Sequence, residues 1–397
     1  MKQEQHILAG IDIGTHTTRV VVCAMSESTQ PQLLGVGSAP TRGLRHGYII
    51  DRQQATASLR AALADAQKNT GIHIAEALVA IGGVSLRAEH IAATVDVAHH
   101  SGEVSQRDID QALDRCEDVL LAQHNNIRII HRIPLKFKLD NEMVLGNPLG
   151  LIGKKLSVKA LFITVFDHHA EDLIDVVHNA GVEVFDMVAA PLAIHNSVLS
   201  YNDRKAGAAV IDIGSETSSI MVFDDARPIS LEVFPIGSTD ITNDIALGFQ
   251  ISLDEAEQLK KGTLQPSRAR KYPKGRIDEI IEARISDIAE LFTRHLQKTK
   301  KSHLLPAGLV ITGGGSGLES IASFLKSELK LPVRLASDGI VQQSKRKTMD
   351  ASWYVAYGLC WYAQSEKIFH IRRGGVLGNF LKNTASDMGS WLKQLLP

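Results

Sequence analysis

Cysteine is nearly missing from this chain. Its 397 residues contain three, Cys23, Cys116 and Cys360, with no paired spacing. That excludes a zinc-ligand framework and a disulfide scaffold, and it fits a reducing compartment. An excess of one charge is missing as well: 43 Lys and Arg stand against 44 Asp and Glu, a net charge of −1. No global field draws in nucleic acid, so no nucleic-acid partner is expected. No run of about eighteen apolar residues occurs, and nothing reads as a bilayer span. The start, Met1-Lys2-Gln3-Glu4-Gln5-His6, is polar and has no signal-peptide hydrophobic region, so the expected compartment is the cytosol. No nucleophile-elbow pattern is found. His99-His100 and His168-His169 lack the three- or four-residue spacing and the third ligand of a metal site, and read as surface histidines.

What is present is a stretch that occurs twice. Gly10-Ile11-Asp12-Ile13-Gly14-Thr15-His16-Thr17-Thr18-Arg19-Val20-Val21-Val22 returns as Val210-Ile211-Asp212-Ile213-Gly214-Ser215-Glu216-Thr217-Ser218-Ser219-Ile220-Met221-Val222. Each copy is an apolar strand, a glycine turn and a second β-branched strand, the pattern of a hairpin. Glycine lets the turn approach a ligand closely, and successive N–H groups beside Thr or Ser hydroxyls can cradle phosphate oxygens. Asp12 and Asp212 would repel phosphate directly but suit Mg²⁺ held through water. A third element, Leu309-Val310-Ile311-Thr312-Gly313-Gly314-Gly315-Ser316-Gly317-Leu318, is a buried-type strand running into glycines. A helix expected to start near Ser316 would offer N–H groups to a nucleotide.

Between these elements the chain alternates strands and helices. Asp51 to Asn69 reads as an amphipathic helix stopped by Gly71. Residues 84–163 read as a compact α+β unit inserted into the first lobe, or as an extra layer of it: a strand from Ile91, a helix capped by Ser105, and strands at Ile127–Leu139 and Leu156–Val165. Pro191 to Leu199 is a helix that could cross to the second half. Residues 264–276, with Arg268, Arg270, Lys271, Lys274 and Arg276, read as a solvated basic loop, because aromatic interleaving is nearly absent. A long helix is expected from Ile277 to Thr299. The end of the chain turns apolar after a polar tether: Leu381, Ala385, Met388, Leu392 and Leu395 recur at helical spacing, with Phe380, Trp391 and Leu396 beside them. This short amphipathic helix is suited to lying in a membrane interface, or to docking on its own globular part or a partner. One copy would grip lipid reversibly, and many in a row would grip tightly.

Mirrored phosphate hairpins, a bridging helix and a late glycine turn resemble the actin/Hsp70/sugar-kinase superfamily of ATPases. Within it the chain resembles the FtsA family of bacterial cell-division proteins. Gly35-Val36-Gly37-Ser38, Arg42-Gly43, Asn147-Pro148-Leu149-Gly150-Leu151, Ser252 to Gly262, Glu279 to Arg284, the insert and the terminal helix carry the likeness. The resemblance implies an α/β, actin-like (ribonuclease H-like) two-lobed ATPase fold with an inserted α+β subdomain and a C-terminal amphipathic helix. Residues 1–83 and 164–195 would form one lobe, 84–163 the insert, 196–242 and 307–363 the second lobe, and 243–306 its subdomain. Residues 364–378 would be the linker and 379–397 the membrane helix.

ATP and Mg²⁺ would bind between the lobes. The phosphates would meet Gly14, Thr15 and His16 on one side and Gly214, Ser215, Glu216 and Thr217 on the other, with Gly237 nearby. Glu257 and Lys260 would approach ribose and adenine, Gly313, Gly314, Gly315 and Ser316 would flank the adenosine, and Asp12 and Asp212 would organise the metal. The chain would polymerise with itself at the division site on the cytoplasmic face of the inner membrane. It would receive the FtsZ C-terminal peptide near Arg284, contact later division proteins through the insert, and be at most a weak ATPase. The family often has glycine where Glu216 stands. A carboxylate beside the γ-phosphate would repel it, implying slow hydrolysis or equal tolerance of ADP. The alternatives are an actin-like tether for a type IV pilus or another envelope machine, and a small-molecule kinase of the same superfamily.

Overall fold

The computed structural model describes residues 6–26, 30–265, 271–336 and 349–366. The expected membrane helix, with Phe380, Leu381, Met388, Trp391, Leu392, Leu395 and Leu396, lies outside the described residues, as do Arg268, Arg270 and all of the expected linker beyond Glu366.

The chain opens with strands β1 (His6–Ile13), β2 (Thr17–Met25) and β3 (Gln32–Pro40). A small hairpin follows, β4 (Leu44–Arg45) and β5 (Tyr48–Ile49). Helix α1 (Arg52–Thr70) starts where the Asp51 carboxylate accepts the Gln54 N–H at 3.0 Å, and stops where Gly71 takes φ 72°. Strand β6 (Glu76–Ile81) leads into β7 (Arg87–Asp96), α2 (Gln106–Gln123), β8 (Ile127–Leu139), β9 (Glu142–Val144) and β10 (Lys155–Phe166). The chain returns through α3 (Asp167–Asn179), β11 (Glu183–Ala189) and α4 (Ala190–Val198). The second half holds α5 (Tyr201–Ala206), β12 (Ala208–Ile213), β13 (Ser218–Asp224), β14 (Arg227–Phe234), α6 (Ser238–Phe249), α7 (Leu253–Lys260) and α8 (Lys274–Lys298). It ends with β15 (Leu309–Thr312), α9 (Ile321–Leu329), β16 (Val333–Leu335) and α10 (Tyr354–Ser365).

The repeated stretch builds the same sheet twice. One is ordered β3-β2-β1-β6-β11 and the other β14-β13-β12-β15-β16. In each, the central strand pairs antiparallel with the strand after its glycine turn and parallel with the strand beyond, so Asp12 and Asp212 end equivalent central strands. Alternation sorts β12: Ala208 and Val210 join the core shared with the first sheet, while Ala209, Ile211 and Ile213 face the core under α6, α8 and α9. One core thus runs from the first sheet into the second, through α4 and α10. Two glycines allow that closeness. A Cβ on Gly10 would meet the Ala356 carbonyl at 2.3 Å, and one on Gly358 the Ala193 carbonyl at 2.3 Å.

The insert is a four-stranded antiparallel sheet, β7-β10-β8-β9, with α2 packed on it around its own core. Ser105 and Asp108 form a reciprocal capping box at the start of α2. The insert also touches the edge strand of the second sheet. His90 donates Nε2–H to the Ile229 carbonyl at 2.9 Å, and the Arg227 guanidinium donates to the Leu135 carbonyl.

Several local expectations change. The α-helix expected at Ser316 begins instead at Ile321, after a short 3-10 turn over Gly314–Gly317. Gly313 at φ 88° and its glycine neighbours disfavour a regular helix start. Helix α8 begins at Lys274, so Lys274 and Arg276 lie in its first turn and not in a loop. Strand β7 begins at Arg87, four residues ahead of the expected Ile91, and residues 44–49, for which no element was expected, form the β4–β5 hairpin.

Gly358→Ala should lower stability by about 1–3 kcal/mol, because the added methyl forces α4 and α10 apart. Gly275→Ala, in the exposed first turn of α8 with nothing near its Cβ position, should be neutral or slightly stabilising. Urea unfolding of both variants checks the contrast. Equal midpoints would show that the helix pair is not tightly packed.

Candidate functional site

The two glycine turns open onto one cleft of about 1340 Å³. Each turn closes so tightly that a Cβ on Gly14 would lie 2.9 Å from the Thr17 carbonyl, and one on Gly214 the same distance from the Thr217 carbonyl. The second turn rests on the start of α6: Ser238 N–H donates to Gly214 O at 2.9 Å and Thr239 N–H to Ser215 O at 2.8 Å. The first is held from the side by the Thr41 N–H, which donates to His16 O at 3.0 Å, and by Thr18 Oγ1 against Thr41 Oγ1 at 2.8 Å. Asp12, Gly14, Thr15, His16, Asp212, Gly214, Ser215, Thr217, Glu257, Lys260, Gly313, Gly314 and Gly315 all line this cleft.

The two aspartates are its electrostatic centre. Burial pushes the Asp12 carboxyl up to about 6, with Arg19 opposing. Burial and then the charge of Asp12 push Asp212 up to about 7, again against Arg19. Arg19 lines the cleft, stands opposite Asp12 in the hairpin register, and lies 5.5 Å from the Trp353 ring centroid. Its Nε is buried without a partner. Sequence reasoning passed over Arg19, although its pairing position across from Asp12 was a usable signal. Among the described residues no group of three or more His, Cys, Asp or Glu side chains could hold a metal. Two undercompensated carboxylates fit an ion that keeps most of its waters and takes further oxygens from a ligand, as Mg²⁺ does.

The glycine arm completes this wall. A Cβ on Gly313 would strike Asp212 Oδ1 at 2.4 Å, so only glycine leaves that carboxylate its place. Across the cleft, Lys260 Nζ meets Glu257 Oε2 at 2.7 Å and donates to Ser238 O at 2.9 Å and Thr242 Oγ1 at 2.8 Å. Burial works against the charge of Glu257, yet hydrogen bonds from Lys260, Thr242 and Lys261 hold its carboxyl down at about 2. Tyr272, Ile277 and Ile281 add an apolar side suited to a flat ring.

Three expected contacts do not line the cleft. Gly237 lies beneath the second turn, where a Cβ would hit Ser215 O at 2.4 Å. Ser316 is buried and donates its hydroxyl to Gly313 O at 2.7 Å. Glu216 uses its carboxylate to accept the His46 N–H at 2.6 Å. Arg284 stands apart from the cleft, tied at two atoms to Asp244 at 2.7 and 3.0 Å and to Asp287 at 3.0 Å.

The family model described as "Cell division protein FtsA" matches residues 209–358, and "SHS2 domain inserted in FTSA" matches residues 83–164. "Cell division protein FtsA" of Bacillus subtilis (strain 168) is 28% identical, over 84% of this chain and 79% of the relative. The protein of the same name from Escherichia coli (strain K12) is 24% identical, over 99% of this chain and 97% of the relative. Among solved structures, a chain of the "PilM-PilN type IV pilus biogenesis complex" superposes with TM-score 0.69 at 18% identity, covering 90% of this chain and 98% of that one. MreB5 of Spiroplasma citri bound to AMPPNP superposes with TM-score 0.54 at 14% identity, covering 94% of this chain and 100% of that one. At these identities the structures show the fold, which is actin-like α/β.

Asp212→Asn isolates the cost of the aspartate pair. The folded carboxyl titrates near 7 and an unfolded one near about 3.9, so between those values only the folded state keeps the proton. Stability of the nucleotide-free protein therefore falls as pH rises through that window. The Asn variant should melt higher than the parent at pH 8, and the gap should close below about pH 4. Parallel melting curves across the whole range would refute the carboxylate strain.

Proposed function

The chain belongs to the FtsA family of bacterial cell-division proteins, and from that premise we propose an actin-like protein that binds ATP with Mg²⁺ and assembles with copies of itself at the inner membrane. There it anchors the FtsZ ring and recruits later division proteins. The observation that carries the nucleotide reading is the meeting of two mirrored turns, two buried carboxylates and a glycine arm in one cleft. The superposable MreB5 of Spiroplasma citri is bound to AMPPNP, which supports the same use of this cleft.

Gly14, Thr15, His16, Gly214, Ser215 and Thr217 would present N–H and hydroxyl groups to the phosphates. Asp12 and Asp212 would hold Mg²⁺ through its waters, and the ion would neutralise phosphate charge. Arg19 would compensate what negative charge remains. Gly313, Gly314 and Gly315 allow a nucleoside to lie close to the backbone, with Glu257 and Lys260 opposite. Loading the cleft would favour self-assembly, which multiplies the weak lipid grip of the 379–397 helix.

The FtsZ C-terminal peptide would dock on the lobe around α8. Arg284 already shares its charge with Asp244 and Asp287, so it would act partly by fixing α8 against α6. The insert would serve later division proteins.

Removing residues 378–397 should leave Mg²⁺-ATP binding intact by calorimetry and abolish pelleting with anionic vesicles. A truncated protein that still pellets defeats the anchor. Arg284→Glu should weaken binding of an FtsZ C-terminal peptide by about tenfold or more in fluorescence anisotropy, as expected when one partner of a partly buried pair is reversed. Unchanged affinity would move the peptide site elsewhere.

A further inference from the structure

Glu216 belongs to the second phosphate turn, yet its carboxylate leaves that turn and crosses to the other lobe. It accepts the backbone N–H of His46 at 2.6 Å, and His46 returns its Nδ1–H to the Glu216 carbonyl at 3.1 Å. These residues are 170 positions apart in sequence. Two hydrogen bonds in opposite directions thus join the second turn to the tip of the β4–β5 hairpin. We propose that Glu216 is a positioning residue that clasps the lobes closed and sets the rate of nucleotide exchange. The proposal rests on the nucleotide reading of the cleft.

Both ends of the clasp are fixed, so neither can follow if the lobes part. On the second lobe, the carbonyls of Gly214 and Ser215 are held by the N–H groups of Ser238 and Thr239. On the first, His46 at φ 48° and Gly47 at φ 83° make the hairpin tip. Gly47 lies so close to Gly83 that a Cβ on it would meet the Gly83 Cα at 2.4 Å. The Gly47 carbonyl accepts Nε2–H of His169 at 3.1 Å, and His169 Nδ1 accepts the Ser85 hydroxyl at 2.6 Å. Opening must therefore break the clasp itself. The shared core through α4 and α10 makes the hinge, whereas Gly47 lines the cleft from the hairpin. A bond to a carboxylate is stronger than one between neutral groups, and here it acts away from the pivot. Glycine at position 216 would offer no such bond.

Stopped-flow release of mant-ADP and mant-ATP in Mg²⁺ tests the effect on exchange. Glu216→Ala should release both faster by about tenfold to a hundredfold, the worth of one charge-assisted hydrogen bond. Glu216→Gln, whose neutral amide oxygen still accepts the His46 N–H through a weaker bond, should fall between the parent and Glu216→Ala. Release from Glu216→Ala at the parental rate would overturn the clasp. So would equal acceleration in both variants, because charge alone would then be responsible. Amide hydrogen exchange over residues 44–49 in nucleotide-free protein gives an independent readout. It should rise in Glu216→Ala and rise less in Glu216→Gln, and no rise in Glu216→Ala defeats the proposal. If the parent binds neither mant nucleotide, the nucleotide reading fails, and hydrogen exchange alone decides whether the clasp exists.

Discussion

Two like charges brought face to face set the terms for the rest of this molecule. The duplicated sheet ends each central strand in an aspartate, and packing the halves on one core points both at the same gap. Burial there disfavours either charge, and each makes the other worse. The fold supplies only partial relief through Arg19. It leaves the remainder to whatever enters the cleft.

Glycine sets the distances that make this arrangement possible. Gly313 leaves room for the Asp212 carboxylate, Gly14 and Gly214 let the turns close on Thr17 and Thr217, and Gly358 lets α10 press on α4. Gly313 and Gly358 are fixed by neighbours that arrive from elsewhere in the chain, whereas Gly14 and Gly214 answer to residues three positions on within their own turns.

That division separates what could be read from the sequence from what could not. The repeat, most of the apolar strands, the Ser105 cap and the Gly71 stop are local, and the structure follows them within a residue or two; the strand expected from Ile91 starts four residues earlier. The β4–β5 hairpin was invisible because two residues per strand carry no alternation. The late start of α9 was hidden by a serine that resembles a cap but spends its hydroxyl on Gly313. Most of the cleft lining was legible from motif position, because a short turn can aim its backbone in few directions. The heading of the Glu216 side chain was not, because it depends on a hairpin brought near only by tertiary folding. Arg19 was half-hidden: its place across from Asp12 follows from the hairpin, whereas Trp353 and Asp212 reach it only by tertiary folding.

The contact between the insert and β14 has a wider meaning. An outer strand with free N–H and carbonyl groups is a template on which another chain can grow a sheet. Here β7 and β8 stand against that border, with His90 and Arg227 making the seam. Sheet growth is thereby blocked on this flank, where a side-chain donor from either side takes a backbone carbonyl of the other.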